Sequence, residues 1–144
     1  MKVQLVGQAA AVSETRAGLP LFMSPVQAGL PNFADDSIEG RIDLHQHLIR
    51  HEGSTFLLKA TGDSMINAGI HEGDLLIVDR SLAAEHNRVV IAALDGELFC
   101  KRVKRRDNGV FLVPDNPSYP EFEITGREDV FIWGVVTRVV HDLI

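Results

Sequence analysis

Two runs of apolar, β-favouring residues, Val89–Leu94 and Leu98–Val103, flank the dipeptide Asp95-Gly96. Such a dipeptide suits a two-residue turn whose central residues take positive φ, and it folds the flanking runs into an antiparallel hairpin. The same punctuation recurs along the chain. Thr55–Ala60 leads into the turn Gly62–Met65, with one helical turn reaching Ala68. Leu75-Leu76-Ile77-Val78 stands between Gly73-Asp74 and Asp79, and Asp107-Asn108-Gly109 turns the chain into Val110–Val113. Pro114, Pro117 and Pro120 mark a loop, after which Val130–Val140 forms a long last strand. Short strands joined by tight turns predict a mainly β fold, a compact domain of antiparallel strands.

Residues 1 to about 35 show neither a helical nor a strand period and contain Pro20, Pro25 and Pro31. Proline fixes φ and disfavours helix at the residue before it, so this stretch reads as an extended N-terminal arm. A short helix is expected from about Ser37 to Arg50. Asp36 and Glu39 have capping-box spacing, and Ile38, Ile42, His45 and Ile49 share one helical face. Gly40 within it costs roughly 1 kcal/mol relative to alanine. The expected division is an arm over 1–36 and a β-rich domain over 37–144.

With 144 residues the chain is long enough for one domain with a real core plus that arm. A formal charge of −6 argues against a protein whose main task is to grip phosphates. The single cysteine, Cys100, excludes an intrachain disulfide and fits a reducing compartment. No apolar run approaches the about 18 residues of a membrane span. The start, Met1 to Val6, mimics a secretory signal only faintly, because Gln4 and Gln8 interrupt it. The expectation is a cytoplasmic protein without a membrane segment, a metal or a cofactor.

The chemistry centres on Gly62-Asp63-Ser64-Met65 and on Lys101. A serine hydroxyl is a poor nucleophile until a base within hydrogen-bond reach takes its proton. None of the six histidines sits in a nucleophile-elbow or chymotrypsin-like context. Lysine can replace histidine if burial keeps it neutral. On the strand Leu98–Val103, alternation puts Lys101 on one face with Phe99 and Val103, and Arg102 and Lys104 on the other. Lys59, alternating with Leu57, is a rival base, and both lysines could simply extend from strand edges into water. Ser64 could equally cap the short helix that follows it. A nucleophile at a helix start would be surrounded by unpaired N–H groups, and those of Asp63 and Ser64 are the candidate oxyanion donors. Upstream, Val26-Gln27-Ala28-Gly29-Leu30 offers a candidate substrate within the same chain.

Gly62-Asp63-Ser64-Met65, the run Gly73 to Asp79, and Asp95-Gly96-Glu97 leading into Lys101 resemble the LexA/UmuD family of self-cleaving Ser-Lys peptidases. The resemblance covers roughly residues 18–140, including Phe22, the Gly29-Leu30-Pro31 junction and Arg41-Ile42-Asp43-Leu44, and is nearest to the UmuD branch. It implies a LexA-like peptidase domain in which Lys101, rather than Lys59, is the base. Neutral Lys101 would take the proton of Ser64 Oγ, which attacks the Ala28 carbonyl. The protonated lysine would then donate to the departing Gly29 amine, and water would resolve the acyl-enzyme. The resemblance further implies a homodimer, activation by a RecA–single-stranded DNA filament, and a processed form serving a UmuC-type subunit of translesion DNA polymerase V in the SOS response. The arm is too short for the helix-turn-helix of repressors in the family, so no sequence-specific DNA binding is expected. The alternatives are a non-catalytic dimerisation or scaffold module and the C-terminal-type domain of a truncated repressor. Asn87-Arg88 departs from the family's usual glycine followed by a charged residue.

Several weaker signals point elsewhere. His47 and His51 share a helical face, with His45 near, but nothing completes a usual ligand set. Lys101 to Arg106 holds five basic residues in six, which with a net charge of −6 reads as a solvated strand end. Cys100 faces away from Lys101, and Trp133 and Phe131 on the last strand read as core or interface residues.

Overall fold

The computed structural model describes residues 1–9, 18–22 and 38–144. The chain falls into two compact units, Met1–Ala10 with His51–Ile144, and Ala11–Arg50. In the first unit β1 (Lys2–Gln8), β4 (Thr55–Thr61), β5 (Leu75–Asp79), β6 (Val89–Leu94), β7 (Glu97–Arg106), β8 (Gly109–Val113), β9 (Phe122–Glu123) and β10 (Val130–Val140) share one sheet. Its order is β1-β4-β5-β10-β6-β7-β8-β9, and β1 also pairs with β7. The strands β1, β4, β5, β10, β6 and β7 therefore close into a barrel, from which β8 and β9 extend. Closure removes the exposed edges an open sheet would leave.

The expected hairpin forms at its expected place. Asp95 and Gly96 take φ of 51° and 75°, and Leu94 pairs with Glu97 across them. Asn87 also takes positive φ, 71°, which explains the departure noted there. Asparagine is among the few residues besides glycine that occupy the left-handed region.

Strand β6 is buried on both faces, as its unbroken apolar run requires. Ile91 joins a core cluster with Met1, Leu58, Ala60, Met65, Ile70, Leu76, Val78 and Cys100. Its neighbours Val90 and Ala92 belong to a second cluster with Val103, Leu112 and Val135. Long strand β10 bends around the barrel with irregularities between Ile132 and Gly134 and between Val136 and Arg138. At Gly134 a Cβ would lie 2.6 Å from Val78 Cγ1, so glycine lets β10 and β5 approach.

Two expectations need correction. Lys2–Gln8, assigned to the arm, is a barrel strand; its ladder runs from Lys2 opposite Thr61 to Gln8 opposite Phe56. The helix expected from Ser37 to Arg50 is a strand over Ile38–Ile42 and a helix only over Leu44–Leu48. In the second unit β2 (Leu19–Phe22) pairs antiparallel with β3 (Ile38–Ile42), and only α1 (Leu44–Leu48) is helical. Ile38 and Ile42 satisfy both a helical and a strand spacing, and the chain settles between them by capping. Asp43, extended at φ −89° and ψ 110°, accepts from the His45 and Gln46 N–H groups and so starts the helix there. Asp36 and Ser37, and with them the expected capping box, lie outside the described residues.

Candidate active site

Ser64 stands in the turn leaving β4, after Gly62 at φ +87°. It is 2% exposed, and its Oγ has no hydrogen-bond partner among the described residues. The hydroxyl does not cap the 3-10 turn Ile66–Ala68, whose N-cap is Met65. The turn's later amides are occupied: Ile66 N–H donates to Asp63 O, Asn67 N–H to Asp115 O, and Ala68 N–H to Met65 O. No hydrogen bond among the described residues uses the N–H of Asp63 or Ser64.

The loop after β8 holds this turn in place, a set of contacts the sequence reading missed. Asn116 Nδ2 donates to Asp63 O at 3.1 Å, and Tyr119 Oη donates to the Asp63 carboxylate. Asp115 N–H points at Met65 Sδ at 3.2 Å, while Asp115 O accepts from Asn67. Arg102 grips the Asp115 carboxylate from Nε at 2.9 Å and Nη2 at 2.6 Å, a fork that fixes geometry as well as charge. The only sequence sign was an Asp-Asn pair inside a proline-bounded loop, which announces a turn but not its partner.

Lys101 lies on β7 opposite Val90 and is half-buried. Burial lowers its pKa, which the neighbouring Cys100 opposes. Its side-chain amine makes no hydrogen bond among the described residues, and so none to Ser64. With Phe99, Leu94, Leu112, Phe122 and Val130 it lines a mainly apolar cavity of about 210 Å3. The rival Lys59 is exposed on β4, which removes the desolvation a lysine base needs. Cys100 is fully buried and its thiol is pushed up to about 12 by that burial, so it offers no thiolate at neutral pH.

Topology brings the serine turn and the lysine to one end of the barrel. Lys2 pairs with Thr61 on one side and with Phe99 on the other, and β1 is antiparallel to both strands. β4 and β7 thus run the same way past the start of β1, one towards Ser64 and the other through Lys101. Met1 sits between them, its carbonyl accepting from Cys100 N–H at 2.8 Å. Burial lowers the pKa of its amine; Lys101 lowers it further, while Cys100 and Asp63 act in the opposite sense.

Other constellations resolve into structure. Asp79, buried, accepts from His51 Nδ1 at 2.5 Å and from Ser81 Oγ at 2.6 Å, and Ser81 Oγ also meets His51 Nδ1 at 3.2 Å. A serine–histidine–aspartate triad needs serine and aspartate on opposite ring nitrogens. Here both meet the same one, so the cluster braces β5 rather than activating Ser81. In the basic run, Arg102, Lys104, Arg105 and Arg106 are engaged by Asp115, Asn87, Ala84 and Glu121. Trp133 packs against Phe56 at 5.2 Å under the Arg80 guanidinium, whereas Phe131 is exposed. Ala28 and Gly29 lie outside the described residues, and no helix among those residues is long and apolar enough to cross a membrane.

The barrel thus carries a buried serine hydroxyl without a partner among the described residues, and a half-buried lysine whose pKa burial lowers. Residues 20–137 match the family Peptidase S24-like, so the chain belongs to that family, as a member of its LexA/UmuD type. It is 43% identical over 122 residues to protein ImpA of Salmonella typhimurium, covering 85% of this chain and 83% of that one. It is 38% identical over 127 residues to protein MucA of Escherichia coli, covering 88% and 84%. A LexA repressor of Parafrankia sp. (strain EAN1pec) is 35% identical over 138 residues, which are 94% of this chain but 54% of the repressor.

Proposed function

We propose that the chain is a self-cleaving serine endopeptidase in which Ser64 is the nucleophile, Lys101 its base, and Ala28-Gly29 the bond cut. The observation that carries the reading is the Ser64 hydroxyl, sealed from solvent yet unpaired among the described residues. A buried hydroxyl without a partner costs about 1–3 kcal/mol, a strain expected where a group awaits a reacting partner. Lys101, with its pKa lowered by burial and no acceptor holding its amine, supports its role as base. Deprotonated, it takes the Ser64 proton as Oγ attacks the Ala28 carbonyl. The tetrahedral oxyanion is met by the N–H groups of Ser64 and Asp63. Collapse expels the Gly29 amine with the lysine's proton, and water then releases the acyl group.

In the biological setting this reading follows what the resemblance to the UmuD branch implies. The fragment from Gly29 onward acts as a homodimeric accessory subunit of an error-prone translesion polymerase, with a UmuC-type partner, and a RecA–single-stranded DNA filament accelerates the cut. The decisive experiment incubates the purified chain across neutral to mildly alkaline pH and follows fragments by intact-mass spectrometry. The expected product begins at Gly29, accumulates faster as pH rises and Lys101 deprotonates, and is absent from Ser64→Ala and Lys101→Ala. A wild-type chain that stays as intact as Lys101→Ala, even with the filament, would make this a non-catalytic scaffold.

A further inference from the structure

Two unrelated constraints bring His71, Asp74 and His141 together at the end of the barrel where β10 finishes. The first is strand register: Val140 pairs with Leu75, so the next residues outward, His141 and Asp74, face each other. Their side chains meet, His141 Nδ1 to Asp74 Oδ1 at 2.6 Å. The second is a turn. Gly73 at φ +87° folds His71 back, with Asp74 N–H on His71 O at 3.1 Å and His71 N–H on Asp74 Oδ2 at 2.8 Å. The His71 and His141 rings consequently lie 4.5 Å apart, tilted 32°, with the buried Asp74 carboxylate beneath them.

We propose that His71, Asp74 and His141 form a binding site for one divalent first-row transition-metal ion of the zinc class. Two imidazoles and a carboxylate are the donor set such ions favour, and their ligand atoms all lie within 4.8 Å of one another. Around a tetrahedral ion with bonds of about 2.0–2.1 Å, donors stand about 3.3 Å apart. The remaining adjustment falls on the rings, which are 46% and 40% exposed, with His141 exchanging its hydrogen bond to Asp74 for the ion. The carboxylate needs no movement. The His71 N–H already orients it from behind, the kind of outer support that fixes a metal ligand. Water completes the coordination from the open side. The other histidines lack this convergence: His51 is committed to Asp79, and His86 accepts from Arg105 N–H. The site also closes the base of the loop that carries Ser64, because Ala60 N–H donates to Asp74 O and Gly73 N–H to Ala60 O.

The test is titration of the full, tag-free chain with Zn2+ by calorimetry, repeated with Co2+ and read by visible absorption. Wild type should bind one ion per chain, show the absorption of low-coordinate Co2+, and melt at a higher temperature with Zn2+. His71→Ala and His141→Gln should each weaken binding about tenfold or more, and together abolish it along with the Co2+ band. Glutamine at 141 retains a donor for Asp74, so a cooperative metal-free melt separates lost ligation from lost folding. His45→Ala/His47→Ala should bind like wild type. Absence of Zn2+ binding by wild type, or equal affinity and stoichiometry in the folded double variant, would overturn the proposal.

Discussion

The Arg102–Asp115 fork offers the sharpest test of how the serine turn is held. Three contacts join the pair, Nε to Oδ1 at 3.1 Å, Nε to Oδ2 at 2.9 Å and Nη2 to Oδ2 at 2.6 Å, with the two side chains 25% and 17% exposed. A charge-assisted hydrogen bond contributes about 1.5–3 kcal/mol when well shielded, and an exposed ion pair about 0–1 kcal/mol. At this partial burial, Arg102→Ala or Asp115→Ala should each cost about 2 kcal/mol. Much of the second loss is already incurred in the first, so the double-mutant coupling should be about 1.5 kcal/mol. With a urea slope of about 2 kcal/mol/M, each single variant would move the midpoint down by about 1 M. Asp115 also accepts from Asn67 N–H through its backbone carbonyl, which alanine keeps, so both single variants should speed amide exchange at Asn67 by loosening the loop rather than by removing the acceptor. Additive single-variant losses, or an unchanged Asn67 exchange rate, would refute the view that this loop clamps the serine turn.

Two further outcomes follow from the barrel. Asp74 and Asp79 are each pushed up by burial, but hydrogen bonds from His71 and His141, and from His51 and Ser81, outweigh it and leave both below the ordinary carboxylate range. Groups with depressed folded pKa values contribute stability above their unfolded value, about 3.9, and lose it as pH falls through the folded one. The urea midpoint should therefore drop on acidification below about pH 5, and Asp79→Asn should flatten that limb; an equally steep limb in the variant would contradict the assignment. Gly134→Ala places a methyl 2.6 Å from Val78 Cγ1 and should cost about 1–3 kcal/mol, measured by denaturant unfolding, with partial rescue by Val78→Ala.

What could be read from the sequence were features whose cause is local. Asp95-Gly96 dictates its hairpin through two positive φ values, and the apolar run of β6 announces burial on both faces. Strand alternation is a local rule and puts Lys101 on the face of Phe99, with which it lines one cavity, but burial does not set it apart, because Arg102 and Lys104 are half-buried as well. The misread helix shows the limit: Ile38 and Ile42 suit both periods, and what decided was a long-range partner, Leu19–Phe22, together with the Asp43 cap. β1 escaped notice because it has little buried face to advertise, with Leu5 and Val6 exposed. The loop gripping Asp63, and the pairing of His71 with His141, depend on register and closure between distant segments, which no local pattern carries.

Strand β1 gives the proposed cut an unusual outcome. It lies upstream of Ala28-Gly29 yet is laced to β4 from Lys2 through Gln8 and to β7 at Lys2 and Val3. Severing the chain at that bond would not detach this strand; it would turn a tethered element into a bound peptide. Its residence would then depend on dilution, and its departure would expose backbone donors and acceptors on β4 and β7 together. The scission would act as a licence to dissociate, with the timing set by how fast a seven-residue strand peels from its groove.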